Sequence, residues 1–107
     1  MTASRIEIFE QMLTSDPGNT MVMFGLAKEY EKAGNETKLI EVLERYLAAA
    51  DDEGNAFGML ARAYERTKQG DKAREALQRG RDAATAHGHP GMAEEYKTIL
   101  ESEYAAS

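Results

Sequence analysis

Cysteine is absent from the 107 residues, and this absence excludes several classes of chemistry. Disulfides, thiolate nucleophiles and cysteine-ligated zinc or iron–sulfur sites all require a sulfur that the chain does not supply. A chain without cysteine is compatible with a reducing compartment, and we expect a cytoplasmic protein. Neither a cofactor nor a metal ion is expected.

Long apolar runs and prolines are also scarce. No run approaches the roughly 18 apolar residues that a membrane-spanning helix requires, so we expect no contact with a membrane. Glu7 and Glu10 interrupt the segment in which a signal peptide would have its apolar core, so none is expected. With two prolines and abundant Ala, Glu, Leu, Lys and Arg, the composition favours helices over strands.

Positive charge is in the minority, because the formal net charge is −6. A net negative chain has no general affinity for nucleic acid or for an anionic lipid surface, and we expect neither as a partner. The charge is unevenly distributed. Residues 62–81 carry seven basic and three acidic side chains, whereas the segments on both sides are acidic.

One apolar signature occurs twice in the sequence, and the second copy follows the first by 34 residues. Each copy consists of a large apolar residue followed by Leu, Ala and Tyr at helical spacing: Met23, Leu26, Ala27 and Tyr30, then Phe57, Leu60, Ala61 and Tyr64. The same offset relates Leu39 and Leu43 to Ala73 and Leu77. The pattern predicts a repeating unit made of two helices.

Gly, Asn, Asp and Pro residues, which end or cap helices, divide the chain into six predicted helices. These cover residues 4–14, 20–33, 36–50, 55–67, 71–87 and 90–104. Asn19 or Thr20 is the expected cap of the second helix and Asn35 that of the third. Gly34 suits the left-handed position after a helix. Gly80 lies inside a predicted helix, where glycine is unfavourable, and therefore predicts a tight helix crossing.

A 34-residue period of two helices that carries these residues resembles the tetratricopeptide repeat family. The resemblance implies an all-α fold, a right-handed α-solenoid of antiparallel helix pairs with about six helices. Residues 1–107 would form one domain, consisting of a half repeat (1–17), two repeats (18–52 and 53–88) and a capping helix (89–107). The second copy departs from the pattern, since Lys68 replaces the turn glycine and Gly70 comes two residues late.

The register of the last helix does not follow the period. Counting a further 34 residues would bury Gly91, Glu94, Glu95 and Thr98. A shift of two residues instead selects Ala93, Tyr96, Lys97 and Leu100 as the expected buried positions.

In this family the first helix of each pair lines a concave groove. The resemblance therefore implies that one face of two helices binds a partner, with the site residues Phe24, Lys28, Lys32, Asn55, Arg62 and Arg66. Met21, Glu31, Gly58 and Glu65 would lie on the same face. Phe24 and Gly58 stand where the subgroup that clamps terminal carboxylates has polar residues, so membership of that subgroup is not expected.

Two functions of different classes follow. The first is a non-catalytic module that holds a peptide or helix of a partner protein, with Lys28, Arg62 and Arg66 attracting an acidic segment. Alternatively, these cations pair with Glu29, Glu31 and Glu65 and serve only solubility. The second function is structural, in which an uncovered apolar edge of Ile6, Phe9 and Leu13 drives self-association. Accordingly, we expect a monomer or a weak homodimer.

Catalytic and metal sites find little support in the residue pattern. Asp51, Asp52 and Glu53 lack the spacing of a calcium loop and are interpreted as acidic helix caps. His87 and His89 have no further ligand nearby and are interpreted as a helix stop before Pro90. The sequence has no glycine-rich phosphate loop and no serine–histidine constellation, so we expect no enzyme.

Overall fold

A computed structural model describes residues 4–104, and these residues form six α-helices without a β-strand. The helices are α1 (Arg5–Ser15), α2 (Thr20–Ala33), α3 (Glu36–Ala49), α4 (Asn55–Arg66), α5 (Gly70–Ala86) and α6 (Pro90–Glu103). The predicted all-α class and the number of helices are confirmed. Within the described part of the chain, none of these helices has both the length and the apolar character needed to cross a bilayer.

The six helices belong to two compact units. The first unit contains α1, α2 and α3 and ends at Ala50, and the second begins at Asp51 and contains α4, α5 and α6. The helices of the first unit are those of the predicted half repeat and first repeat, and the helices of the second unit are those of the predicted second repeat and capping helix.

In the first unit, α2 packs against both α1 and α3. Leu26, Leu39 and Leu43 are buried, in agreement with the helical spacing of the apolar residues. Phe9 of α1 lies over Gly25 of α2, where a Cβ atom would be 3.3 Å from the ring. The missing side chain of Gly25 thus lets α1 approach closely.

The apolar face predicted for α1 is only partly correct. Helical spacing in the sequence predicts one apolar side made of Ile6, Phe9, Met12 and Leu13. Leu13 is buried and Ile6 and Phe9 are half-buried, but Met12 is 44% exposed. Ile8 is 42% exposed. Since residues four apart share a helix face, Ile8 and Met12 form the exposed apolar strip of this helix.

In the second unit, α5 packs against both α4 and α6. Its buried residues are mostly small, namely Ala73, Ala76, Leu77, Gly80 and Ala84. A Cβ atom on Gly80 would lie 2.8 Å from the Cβ of Phe57 and 2.9 Å from the ring of Tyr96. The tight crossing predicted from Gly80 is confirmed.

Three helix ends share one turn geometry. Gly34, Lys68 and Gly88 have positive φ angles of 73°, 63° and 76°. After each helix the same two backbone hydrogen bonds form. In the first turn Gly34 N–H donates to the Glu31 carbonyl and Asn35 N–H to the Tyr30 carbonyl. This is the Schellman arrangement, which satisfies the last free carbonyls of a helix.

The helix starts follow the predicted caps. The side-chain oxygen of Asn19 accepts from Val22 N–H at 3.1 Å, and that of Asn35 accepts from Lys38 N–H at 3.1 Å. Before α4, a carboxylate oxygen of Asp52 accepts from the N–H groups of Gly54 and Ala56 at 2.9 and 3.0 Å. The interpretation of the acidic run as a helix cap is thereby confirmed for Asp52.

The shifted register of α6 is largely correct. Tyr96 and Leu100 are buried as expected, and Ala93 is half-buried. Lys97 is exposed, contrary to the expectation, because a residue directly after Tyr96 lies about 100° around the helix from it.

Candidate interaction surface

The residues expected to bind a partner lie on two helices in two units. Phe24, Lys28 and Lys32 belong to α2, and Asn55, Arg62 and Arg66 belong to α4.

In the first unit, Phe24 packs within the α2–α3 hairpin. Its ring centroid lies 5.2 Å from that of Tyr46 on α3, with the two planes tilted by 43°. Lys28 Nζ lies 5.4 Å from the centroid of Phe24, which is within the range of a cation–π contact. The half-buried Phe24 ring is therefore committed to packing, whereas Lys28 is exposed.

Lys32 has an acidic neighbour on its own helix. Its Nζ lies 3.9 Å from a carboxylate oxygen of Glu29, and the same oxygen is 3.5 Å from Nε of Arg5 on α1. The Lys32 side chain is nonetheless 74% exposed, so this pair contributes little to stability. Lys32 is not one of the three cations in the solubility alternative, which stays a prediction for Lys28, Arg62 and Arg66.

The second unit contains a depression of about 270 Å³ between α4 and α6. Its lining consists of small and apolar residues with three charged ones, namely Gly58, Ala61, Arg62, Glu65, Leu77, Tyr96, Ile99 and Glu103. The buried Ala61 and Leu77 form an apolar base. Arg62, Glu65 and Glu103 are exposed at the rim. Arg62 is the one predicted site residue that lines this depression.

Tyr96 covers Gly58, a residue predicted from the sequence to lie on the groove face. Gly58 is buried, and a Cβ atom there would lie 2.6 Å from the Tyr96 hydroxyl. The same hydroxyl donates to the backbone carbonyl of Gly54 at 2.6 Å. Burial raises the pKa of Tyr96, which keeps the phenol protonated as a donor. Tyr96 therefore covers Gly58 at this end of the depression.

Tyr104, just after α6, holds one of the rim carboxylates. Its hydroxyl donates to Glu65 at 2.7 Å. Burial, followed by the hydrogen bond and the charge of Glu65, raises the pKa of Tyr104 to about 12. Because a neutral phenol donates to an ionised carboxylate, this contact fixes Glu65 at the rim without removing its charge.

Asn55 and Arg66 lie at opposite ends of α4 and do not line the depression. Eleven helical steps separate them, or about 16 Å along the axis. Both side chains are exposed. Of the three residues predicted on α4, Arg62 therefore lines this depression.

Two histidine–carboxylate pairs join the start of the second unit to the connection between α5 and α6. His87 Nε2 lies 3.0 Å from Asp51, and His89 forms a short contact with Glu53. The hydrogen bond from His89 is the main reason why the pKa of Glu53 is lowered from its ordinary value of 4.5. These pairs were not predicted from the sequence, although both join residues 36 apart, close to the repeat length.

A smaller cleft of about 210 Å³ lies within the first unit, between α1 and α3 above α2. Its charged residues are of both signs, namely Glu10, Lys38, Glu41 and Arg45. The Tyr30 hydroxyl donates to Glu10 at 2.5 Å, and Arg45 donates to the Pro17 carbonyl at 2.7 Å. These side chains mainly join helices and loops of the unit.

Among residues 4–104, no three histidine, aspartate or glutamate side chains are grouped so that they could hold a metal ion. Comparison with models of known protein families and with curated protein sequences found no match for the chain.

Proposed function

We propose that the chain is a non-catalytic, cytoplasmic protein-interaction module of the tetratricopeptide type, which binds a peptide or helix of a partner protein. In this proposal the antiparallel helix pairs form a right-handed α-solenoid. It is supported by the 34-residue apolar period, by the helical pairs and by the Schellman turns after α2 and α4, which are 34 residues apart. Such repeats present concave helix faces to their partners.

The depression between α4 and α6 carries this proposal. It combines an apolar base of Ala61 and Leu77 with polar groups at its rim. Binding pockets for peptides typically have this composition, since apolar contact supplies affinity and a few polar groups fix orientation. Arg62 at the rim offers several N–H donors in a fixed geometry, which suits backbone carbonyl and carboxylate oxygens of a bound peptide.

The remaining predicted site residues have secondary roles in this proposal. On α2, the exposed Lys28 and Lys32 contribute positive charge, while Phe24 supports Lys28 through the cation–π contact. Asn55 and Arg66 extend the exposed polar surface of α4 beyond the depression. An acidic partner stays a prediction for the α2 surface.

The test is affinity capture from the native host with the wild-type chain and with Arg62→Glu. We expect the specifically captured protein to be lost with Arg62→Glu, because the substitution reverses the charge at the rim. Arg74→Glu is the matched control, since Arg74 is an exposed residue of α5 outside the depression. Circular dichroism establishes that all three chains are equally helical.

Retention of the same partner by Arg62→Glu would show that the depression is not the binding site. Loss of the partner with both variants would attribute capture to overall charge, which also contradicts the proposal.

Self-association is the second candidate function, and the exposed strip of Ile8 and Met12 favours it. Two large apolar side chains four residues apart on an exposed helix face offer a contact to a second copy. Light scattering over a range of concentrations distinguishes a monomer from a dimer. If the chain self-associates through this strip, the mass of the wild type rises with concentration. The double substitution Ile8→Ser and Met12→Ser should then abolish that rise.

A further inference from the structure

The rim of the depression in the second unit carries more negative than positive charge. Arg62 faces it from α4 together with Glu65, and Glu103 faces it from α6. The cations of the first helices, taken alone, predict an acidic partner. Glu103 could not be placed beside them from the sequence, since α6 does not follow the 34-residue period.

The two carboxylates are available to a ligand in different degrees. Glu65 already accepts a hydrogen bond from Tyr104, which holds its position while its charge remains. Glu103 is exposed on the last turn of α6. Together they make one end of the rim a site of negative potential, which attracts a cationic side chain.

The base of the depression accommodates an apolar group. Ala61 and Leu77 are buried beneath it, and the half-buried Ile99 forms part of the α6 wall. At the other end Tyr96 fills the space over Gly58, so the depression is short. Its volume of about 270 Å³ is that of a pocket for a single large side chain with part of its backbone, and an extended apolar strip would not fit.

We infer that this depression is an anchor pocket for a large aliphatic side chain of a partner peptide that carries a lysine or arginine next to the anchor. The aliphatic group contacts Ala61, Leu77 and Ile99, and the neighbouring cation lies between Glu65 and Glu103. Arg62 donates to a backbone carbonyl of the peptide. The inference rests on the proposed function and names the class of partner for the same site.

The inference is tested with three synthetic hexapeptides and the 107-residue chain labelled with ¹⁵N. The probes are the acetylated and amidated sequences Gly-Ser-Leu-Lys-Ser-Gly, Gly-Ser-Leu-Glu-Ser-Gly and Gly-Ser-Ala-Lys-Ser-Gly. We expect the first peptide to shift the amide signals of Gly58, Ala61 and Arg62 at the lowest concentration. Replacing its leucine by alanine should weaken binding about tenfold or more, since about three buried carbons are lost.

A pair of matched variants tests the charge. Glu103→Gln should weaken binding of the Leu-Lys peptide by about two- to fivefold, which corresponds to an exposed ion pair. Glu101→Gln removes the same charge from the exposed face of α6 outside the depression and should leave affinity unchanged. The difference between the two variants should shrink as salt rises, because exposed charges are screened.

Equal or tighter binding of the Leu-Glu peptide would overturn the inference, as would the absence of shifts at the depression with all three peptides. Neither result decides the proposed function, which depends on whether Arg62→Glu abolishes capture of the native partner.

Discussion

Lys68 shows how far single residues could be predicted. The 34-residue offset places it where Gly34 lies in the first copy, and the structure gives both residues a positive φ angle. The position of the turn was therefore predictable from the period. Its conformation at Lys68 was not, because a lysine side chain disfavours the left-handed region and gives no sign of it in the sequence.

Replacing Lys68 by glycine should stabilise the protein by about 0.5–1 kcal/mol, because glycine adopts a positive φ without steric cost. Urea unfolding measures the change. Arg74→Gly is the control, since it places glycine in the interior of α5 and should destabilise by about 1 kcal/mol. A loss of stability with Lys68→Gly would mean that the lysine side chain stabilises the fold by more than its positive φ angle destabilises it.

Gly80→Ala should destabilise the second unit by about 1–3 kcal/mol, because the added methyl group would collide with Phe57 and Tyr96. The expected result is a lower melting temperature. Gly70→Ala is the counterpart, since no atom lies within 4 Å of the added carbon and α5 begins there. If both substitutions raised the melting temperature, helix propensity would outweigh the close contact.

At the scale of the helices, local signals were sufficient for the boundaries and insufficient for the contacts between helices. Asn19, Asn35 and Gly34 act on backbone groups within a few residues, so their roles can be read from neighbouring positions. The bond from Tyr96 to the Gly54 carbonyl and that from Tyr104 to Glu65 join residues 42 and 39 apart. Such separations have no local pattern, and α6 lies outside the repeat register.

The pair between His89 and Glu53 should make the second unit dependent on pH in the acid range. The pKa of Glu53 is lowered in the folded chain, so its contribution to stability is present above the ordinary value of 4.5 and is lost as the pH falls through the lowered pKa. The measurement is the melting temperature at pH values between about 3 and 6, a range in which Glu53 gains its proton. The melting temperature of the wild type should be higher than that of Glu53→Gln at the upper end of this pH range. The two melting temperatures should approach each other at the lower end.

Glu94→Gln is the control for this titration, because Glu94 is an exposed carboxylate of α6 outside the two histidine pairs. The melting temperature of Glu94→Gln should differ little from that of the wild type at every pH in this range. Parallel curves for the wild type and Glu53→Gln would contradict the stabilising role of the His89 contact.

At the scale of the whole molecule, the apolar period predicted which side chains form the core. Tyr30, Leu43 and Leu60 are buried, as expected from the 34-residue apolar period. The candidate site was less predictable. Arg62 could be placed by its position on α4, but Tyr96, Ile99 and Glu103 come from a helix whose register the period does not give.

Leu43→Ala in the first unit and Leu60→Ala in the second should each reduce the free energy of unfolding by about 2–5 kcal/mol, since both side chains are 0% exposed. Denaturant titration monitored by circular dichroism measures both. Met12→Ala should change stability little, because Met12 is substantially exposed on α1. An unchanged unfolding midpoint in either leucine variant would show that its assignment to the core is wrong.

The bond between Tyr30 and Glu10 gives the first unit an internal indicator for alkaline titration, and the bond between Tyr104 and Glu65 gives the second unit another. Burial, followed by the carboxylate partner, raises the pKa of both phenols from 10.0 to about 12. The resulting stabilisation is present below pH 10 and is lost as the pH rises through the raised values. The near-ultraviolet absorbance of the phenolate, compared among the wild type, Tyr30→Phe and Tyr104→Phe, would therefore assign alkaline unfolding to one unit or the other without an added label.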